Sequence, residues 1–118
     1  MLYEAKGITK FIVATGYTDL RRGIDGLCQI IETQYKLNPF ETDVLFLFCG
    51  KRADRIKALL WEGNGFLLLY KRYESGSLSW PRNPGEAAQI NKSQFRLLLK
   101  GLNPIYPKVR DVKPGQAS

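Results

Sequence analysis

The chain is predicted to fold as an α+β domain, a small antiparallel sheet of four to five strands with two helices packed against it. Consecutive strand-like runs joined by turn signals supply the sheet, and Asn64-Gly65 marks a hairpin between two of them. Two stretches with apolar residues at helical spacing supply the helices, one after the first strand-like run and one late in the chain. A length of 118 residues suits one domain with its own core.

Ile8 to Ala14 reads as the first strand, with Phe11 and Val13 alternating against Lys10 and Ile12. Thr15-Gly16-Tyr17-Thr18 is a turn. Thr18 suits a helix N-cap, and Asp19 would follow it at the positive end of the helix dipole. The first helix is expected from Asp19 to Lys36, with Leu20, Ile24, Leu27, Cys28, Ile31 and Tyr35 on one stripe. Gly23 and Gly26 fall inside it, each costing about 1 kcal/mol against Ala. Close packing on another backbone is favoured as their purpose over room for a ligand. Asn38-Pro39 is expected to end this helix.

Val44 to Cys49 is a continuous apolar run, which reads as a buried strand. Gly50-Lys51-Arg52-Ala53-Asp54 is a basic turn. Arg55 to Trp61 is the next strand, and Gly65 to Tyr73 returns from the hairpin turn. Ser77 to Trp80 is expected as a short strand stopped by Pro81, and Arg82 to Ala88 as a loop. Asn91 caps a second helix, with Ile90 before the cap, Phe95, Leu98, Leu99 and Leu102 on the buried face, and Gly101 as terminator. The domain should span 1–103. Residues 104–118, with Pro104, Pro107 and Pro114 among Lys108, Arg110 and Lys113, read as a basic, mostly disordered tail.

Composition narrows the function. Lys and Arg total 18 against 11 Asp and Glu, a net charge of +7. Such an excess favours an anionic partner, with nucleic acid first. There is no histidine, which excludes a Ser-His-Asp or Cys-His catalytic set and any histidine-ligated metal. Cys28 and Cys49 make no disulfide framework and read as reduced thiols in a cytoplasmic protein. Met1 to Lys10 lacks the apolar core of a secretory leader, and no run is long enough for a membrane span. No cofactor is expected.

The hairpin concentrates the charge. On a pleated sheet Ile56, Ala58, Leu60, Leu67 and Leu69 share one face, which Lys71 and Tyr73 extend. Arg55, Lys57, Leu59 and Trp61 share the other with Phe66, Leu68, Tyr70 and Arg72. The partition holds whether the two-residue loop is Gly63-Asn64 or Asn64-Gly65. The second face carries cations at one end and aromatic rings at the other, and Lys51 and Arg52 lie just before it. Cations with interleaved rings can neutralise phosphates and stack bases. The plainer alternative is that Trp61 and Phe66 pack beneath a helix while the cations reach outward.

Arg21 and Arg22 form a second basic cluster, expected in the first helical turn, where exposed amides also attract anions. The plainer alternative there is an ion pair with Asp19. The carboxylates show no paired-acid motif of the kind a two-metal nuclease needs.

Three ordered blocks carry a family resemblance. Thr15-Gly16-Tyr17-Thr18-Asp19-Leu20-Arg21-Arg22-Gly23-Ile24-Asp25-Gly26-Leu27 resembles the opening TGxTDMRKGIDGL of the TnpB-like accessory protein, the second open reading frame, of the IS66 class of bacterial insertion sequences. Leu45 to Lys57 resembles its block LFVFxGRRxDRxK, and Leu60 to Gly76 its block LWWDGxGFxLYYKRLExG. Tyr73, Cys49 and Leu20 depart from the usual leucine, arginine and methionine. The resemblance covers roughly Ile8 to Leu102. It implies a small protein encoded beside a separate, much larger DDE transposase and needed with it for efficient transposition.

The expected function is therefore a non-enzymatic accessory factor of transposition that binds DNA. The candidate contacts are Arg21, Arg22, Lys51, Arg52, Arg55, Lys57, Trp61, Tyr70, Lys71 and Arg72. The alternative is a module that docks on the transposase without touching DNA, with Trp61, Phe66 and Tyr70 as anchors.

Overall fold

A computed structural model of the chain describes residues 7–83 and 85–100. The elements run β1 (Lys10–Ala14), α1 (Ile24–Thr33), β2 (Val44–Cys49), β3 (Arg55–Trp61), β4 (Phe66–Arg72), β5 (Ala87–Ile90) and α2 (Lys92–Leu99). The strands form one sheet in the order β4-β3-β2-β1-β5. The α+β class is as expected, with a helix on each face. Phe11, Leu47, Ile56 and Ile90 pack under Phe95 and Leu98 of α2. Ile12, Phe46, Phe48 and Leu59 pack under Leu27 and Ile31 of α1. Each fully buried side chain of this size contributes about 1.5–3 kcal/mol of transfer free energy. β2 lies at the centre of the sheet and is buried at every position, which is why its sequence is unbroken apolar rather than alternating.

The sheet is not wholly antiparallel. β1 and β2 run parallel, with Lys10 opposite Val44 and Val13 opposite Leu47. A parallel pair needs a crossover, and α1 supplies it by crossing one face. The other pairings are antiparallel.

Several local expectations are corrected. The first helix begins at Ile24 rather than Asp19, with Gly23 as an extended N-cap that lacks a side-chain bond. The cause is Asp19, whose carboxylate accepts from the Arg21 amide at 3.1 Å and whose carbonyl accepts from the Arg22 amide at 3.1 Å, holding a turn there. Thr18 is no cap; its amide donates to the Cys49 carbonyl at 2.8 Å. The helix stops at Thr33, before Asn38-Pro39 is reached, because Lys36 takes the left-handed conformation (φ 57°) and the Leu37 amide returns to the Ile31 carbonyl. A Cβ at Gly23 would meet nothing, and one at Gly26 would meet the Arg22 stem at 3.0 Å rather than another backbone.

Residues 77–80 form no strand. They are pinned instead by the Leu78 amide on the Ala53 carbonyl and the Trp80 indole N–H on the Ala14 carbonyl at 3.0 Å. The expected loop over Arg82 to Ala88 ends early, because Ala87 and Ala88 begin β5 against Ala14 and Val13. Two alanines carry almost no strand signal, so this edge was invisible to patterning. Asn91 caps α2 as expected, in a reciprocal capping box with Gln94. Leu102, Gly101 and the tail over 104–118 lie outside the described residues. No described helix is long and apolar enough to cross a membrane.

Candidate nucleic-acid interface

The hairpin register settles the two faces. Arg55 pairs with Arg72, Lys57 with Tyr70, Leu59 with Leu68 and Trp61 with Phe66, so the expected partition holds. The Glu62 amide bonds the Gly65 carbonyl, and Gly63 takes φ 89°, which makes Gly63-Asn64 the two-residue loop.

Register also sorts the candidates along the sheet. Cys49 lies opposite Ile56, and Ile56 opposite Lys71, so the carboxyl ends of β1, β2 and β4 and the start of β3 share one end. Arg21, Arg22, Lys51, Arg52, Arg55, Lys57, Tyr70, Lys71 and Arg72 all belong to that end. Lys71 projects from the opposite face, its ammonium 4.8 Å from the Tyr73 ring centroid. Trp61 lies at the far end, against Phe66 at 4.8 Å and edge-on to Phe40 at 5.0 Å. Four residues of strand, about 13 Å, separate it from Lys57.

Two loops make the basic end concave. The turn after β2 closes through the Ala53 amide on the Gly50 carbonyl, with Lys51 and Arg52 exposed at its corners and Ala53 left-handed at φ 58°. The segment after β1 carries Tyr17, Asp19 and Arg21. The Thr18–Cys49 bond joins the two loops, and Leu20 fills the space in front of Gly50, where a Cβ would meet it at 3.3 Å. Between them opens a cleft of about 460 Å³ whose walls include Arg21, Lys51, Arg52 and Arg55, with Asp19, Asp54, Tyr17 and Tyr70. It sits at the carboxyl ends of the parallel β1–β2 pair, the place at which open sheets with parallel strands commonly bind ligands.

Some of this charge is internally matched. The Arg21 guanidinium makes a two-pronged pair with the Asp19 carboxylate at 2.9 and 3.0 Å, which holds that carboxyl down to about 2. Arg72 pairs with Glu74 at 3.0 Å, and Arg55 faces Asp54 at 3.5 Å without a hydrogen bond. The Arg21 and Arg72 pairs are exposed and therefore weak, so either cation can exchange its carboxylate for a phosphate. Lys51 and Arg52 make no ion pair among the described residues, and Arg22 adds only a longer-range attraction to Asp19. Lys57 donates to the Arg22 carbonyl at 3.0 Å and lies 6.0 Å from the Tyr70 ring centroid.

The sequence blocks, the shared sheet end and the cleft all draw on the same segments. The chain matches the family described as IS66 Orf2 like protein over residues 9–108. It belongs to that family. The resemblance read from the three blocks is borne out, and the IS66 Orf2-like family is one of insertion-sequence accessory proteins. Two relatives from Sinorhizobium fredii are similar along most of their length. The uncharacterized protein y4jC is 33% identical over 113 residues, 96% of this chain and 95% of its own. The uncharacterized protein y4hO is 34% identical over 96 residues, 81% of this chain and 83% of its own. No solved structure matches the chain.

Tyr17, Asp54 and Arg82 were not among the sequence-derived contacts. Arg82 stacks on the Tyr17 ring with its guanidinium carbon 4.3 Å from the centroid. A strand–helix–strand order over Lys10 to Cys49 was present in the sequence as the signal of a parallel pair, and a parallel pair brings the loops after β1 and β2 together.

Proposed function

We propose that this protein is a non-catalytic accessory factor of transposition that binds DNA through the basic end of its sheet. The observation that supports this reading is the gathering of Arg21, Lys51, Arg52 and Arg55 around one cleft, with Arg22, Lys57 and Arg72 beside it. A polyanion laid across this end meets a run of cations rather than isolated charges, and each neutralised phosphate releases counterions. The test is DNA binding measured by fluorescence anisotropy across a salt series. The expected result is steep weakening with salt, with Arg52→Ala flattening the log–log slope by about one unit. Absence of a complex at low salt would refute it.

A second reading rests on the other end of the sheet. Phe40 is 49% exposed and packs with Trp61 and Phe66, forming an aromatic patch remote from the cations. In this reading the patch docks on the element's transposase, and Trp61→Ala abolishes nuclease-resistant co-purification while leaving DNA binding intact. Tyr70 does not belong to this patch, since it lies with Lys57.

A further inference from the structure

We propose that the cleft takes an unpaired nucleotide of a single DNA strand, so that the protein holds single-stranded rather than only duplex DNA. The proposal rests on the DNA-binding reading above and names the form of DNA bound there.

Two features point to it. The first is shape. A concave space of about 460 Å³ has the size of a small-ligand pocket, and a paired nucleotide inside a duplex cannot enter one. The second is the pair of rings at its walls. Tyr17 is 57% exposed and Tyr70 54%, in a domain that buries Phe11, Phe46, Phe48 and Trp80 almost fully. Exposed rings beside cations are the surfaces on which unstacked bases settle. Arg82 backs the Tyr17 ring by a cation–π contact, which steadies that ring.

The experiment uses fluorescein-labelled oligodeoxycytidylate of about twelve nucleotides and a hairpin duplex of similar length. Anisotropy is read for the full chain and its Tyr70→Ala, Tyr70→Phe and Tyr17→Ala variants. The single strand should bind at least as tightly as the duplex. Tyr70→Ala and Tyr17→Ala should each weaken strand binding about ten-fold while changing duplex binding less than about two-fold. Tyr70→Phe should behave as wild type, and unchanged thermal melts would show that the variants fold. Salt-dependent duplex binding with no strand binding, or equal loss on both ligands, overturns this proposal and leaves the DNA-binding reading intact. Displacement of the strand by an equal concentration of deoxycytidine monophosphate overturns it in favour of a free nucleotide. Binding to neither DNA form overturns both readings.

Discussion

The Lys57 ammonium donates to the Arg22 carbonyl at 3.0 Å, joining β3 to the turn before α1 across 35 residues of sequence. One cation therefore both fixes a loop and adds charge to the basic end. Removing it should have two separable effects. Lys57→Met should lower stability by about 1 kcal/mol, since the bond is charge-assisted but exposed, as read by urea denaturation. It should also flatten the salt slope of DNA binding by about one unit. A variant that lost stability but kept the full slope would show Lys57 to be purely structural.

Asp19 gives a prediction with a sign. The side-chain hydrogen bonds from Arg21, then that residue's amide, hold the Asp19 carboxyl down to about 2. A depressed carboxyl contributes stability above its unfolded value near 4 that is lost as pH falls through its folded value. The Asp19–Arg21 turn should thus persist from neutrality through pH 4 and open only on approach to about pH 2. A carboxyl-carbon NMR titration with a midpoint near 4 would contradict the pairing.

The cysteines predict the opposite limb. Burial pushes the Cys49 thiol up to about 12 and raises the half-buried Cys28 thiol as well. Cys49 should resist alkylation at pH 8 until the protein unfolds, with Cys28 reacting slowly. The unfolded chain releases its thiol protons from about pH 8.5, so stability should fall as pH rises from there towards 12. Cys49→Ala should soften that fall.

The start of α2 predicts a local loss. Asn91 accepts from the Gln94 amide at 2.8 Å, and Gln94 accepts from the Asn91 amide at 2.8 Å. Asn91→Ala should cost about 1 kcal/mol in urea denaturation. DNA binding at the far end of the sheet should be unchanged.

What could be read in the sequence followed how local each signal was. β2, β3 and the two faces of the hairpin depend on contiguous apolar or alternating runs, and they stand where patterning put them, whereas the choice between the two hairpin registers took the structure. The start of α1 was misplaced because Asp19 has two local options, capping a helix or holding a turn with Arg21, and spacing cannot separate them. β5 was missed because Ala87 and Ala88 are strand only by virtue of β1 beside them. The basic residues of the candidate site were legible as composition. The meeting of the loops after β1 and β2 lay only in the strand–helix–strand order, which signals a parallel pair that apolar patterning does not register. Tyr73, where the family usually has leucine, shows the same limit: its hydroxyl donates to the Leu99 carbonyl at 3.0 Å, a tie to α2 that no local pattern announces.

The strand order also sets a timetable. β2, β3 and β4 form a meander whose pairings close short loops, whereas β1 must find β2 across the whole of α1 and β5 from the other side of the chain. Loop-closure entropy makes the short pairings early and the long ones late. Amides of β3 and β4 should gain protection from pulsed hydrogen exchange before those of β1. A refolding chain would then own its hairpin and much of its positive charge well before it owned a cleft, so any partner that needs the concavity has to wait for β1 to dock beside β2.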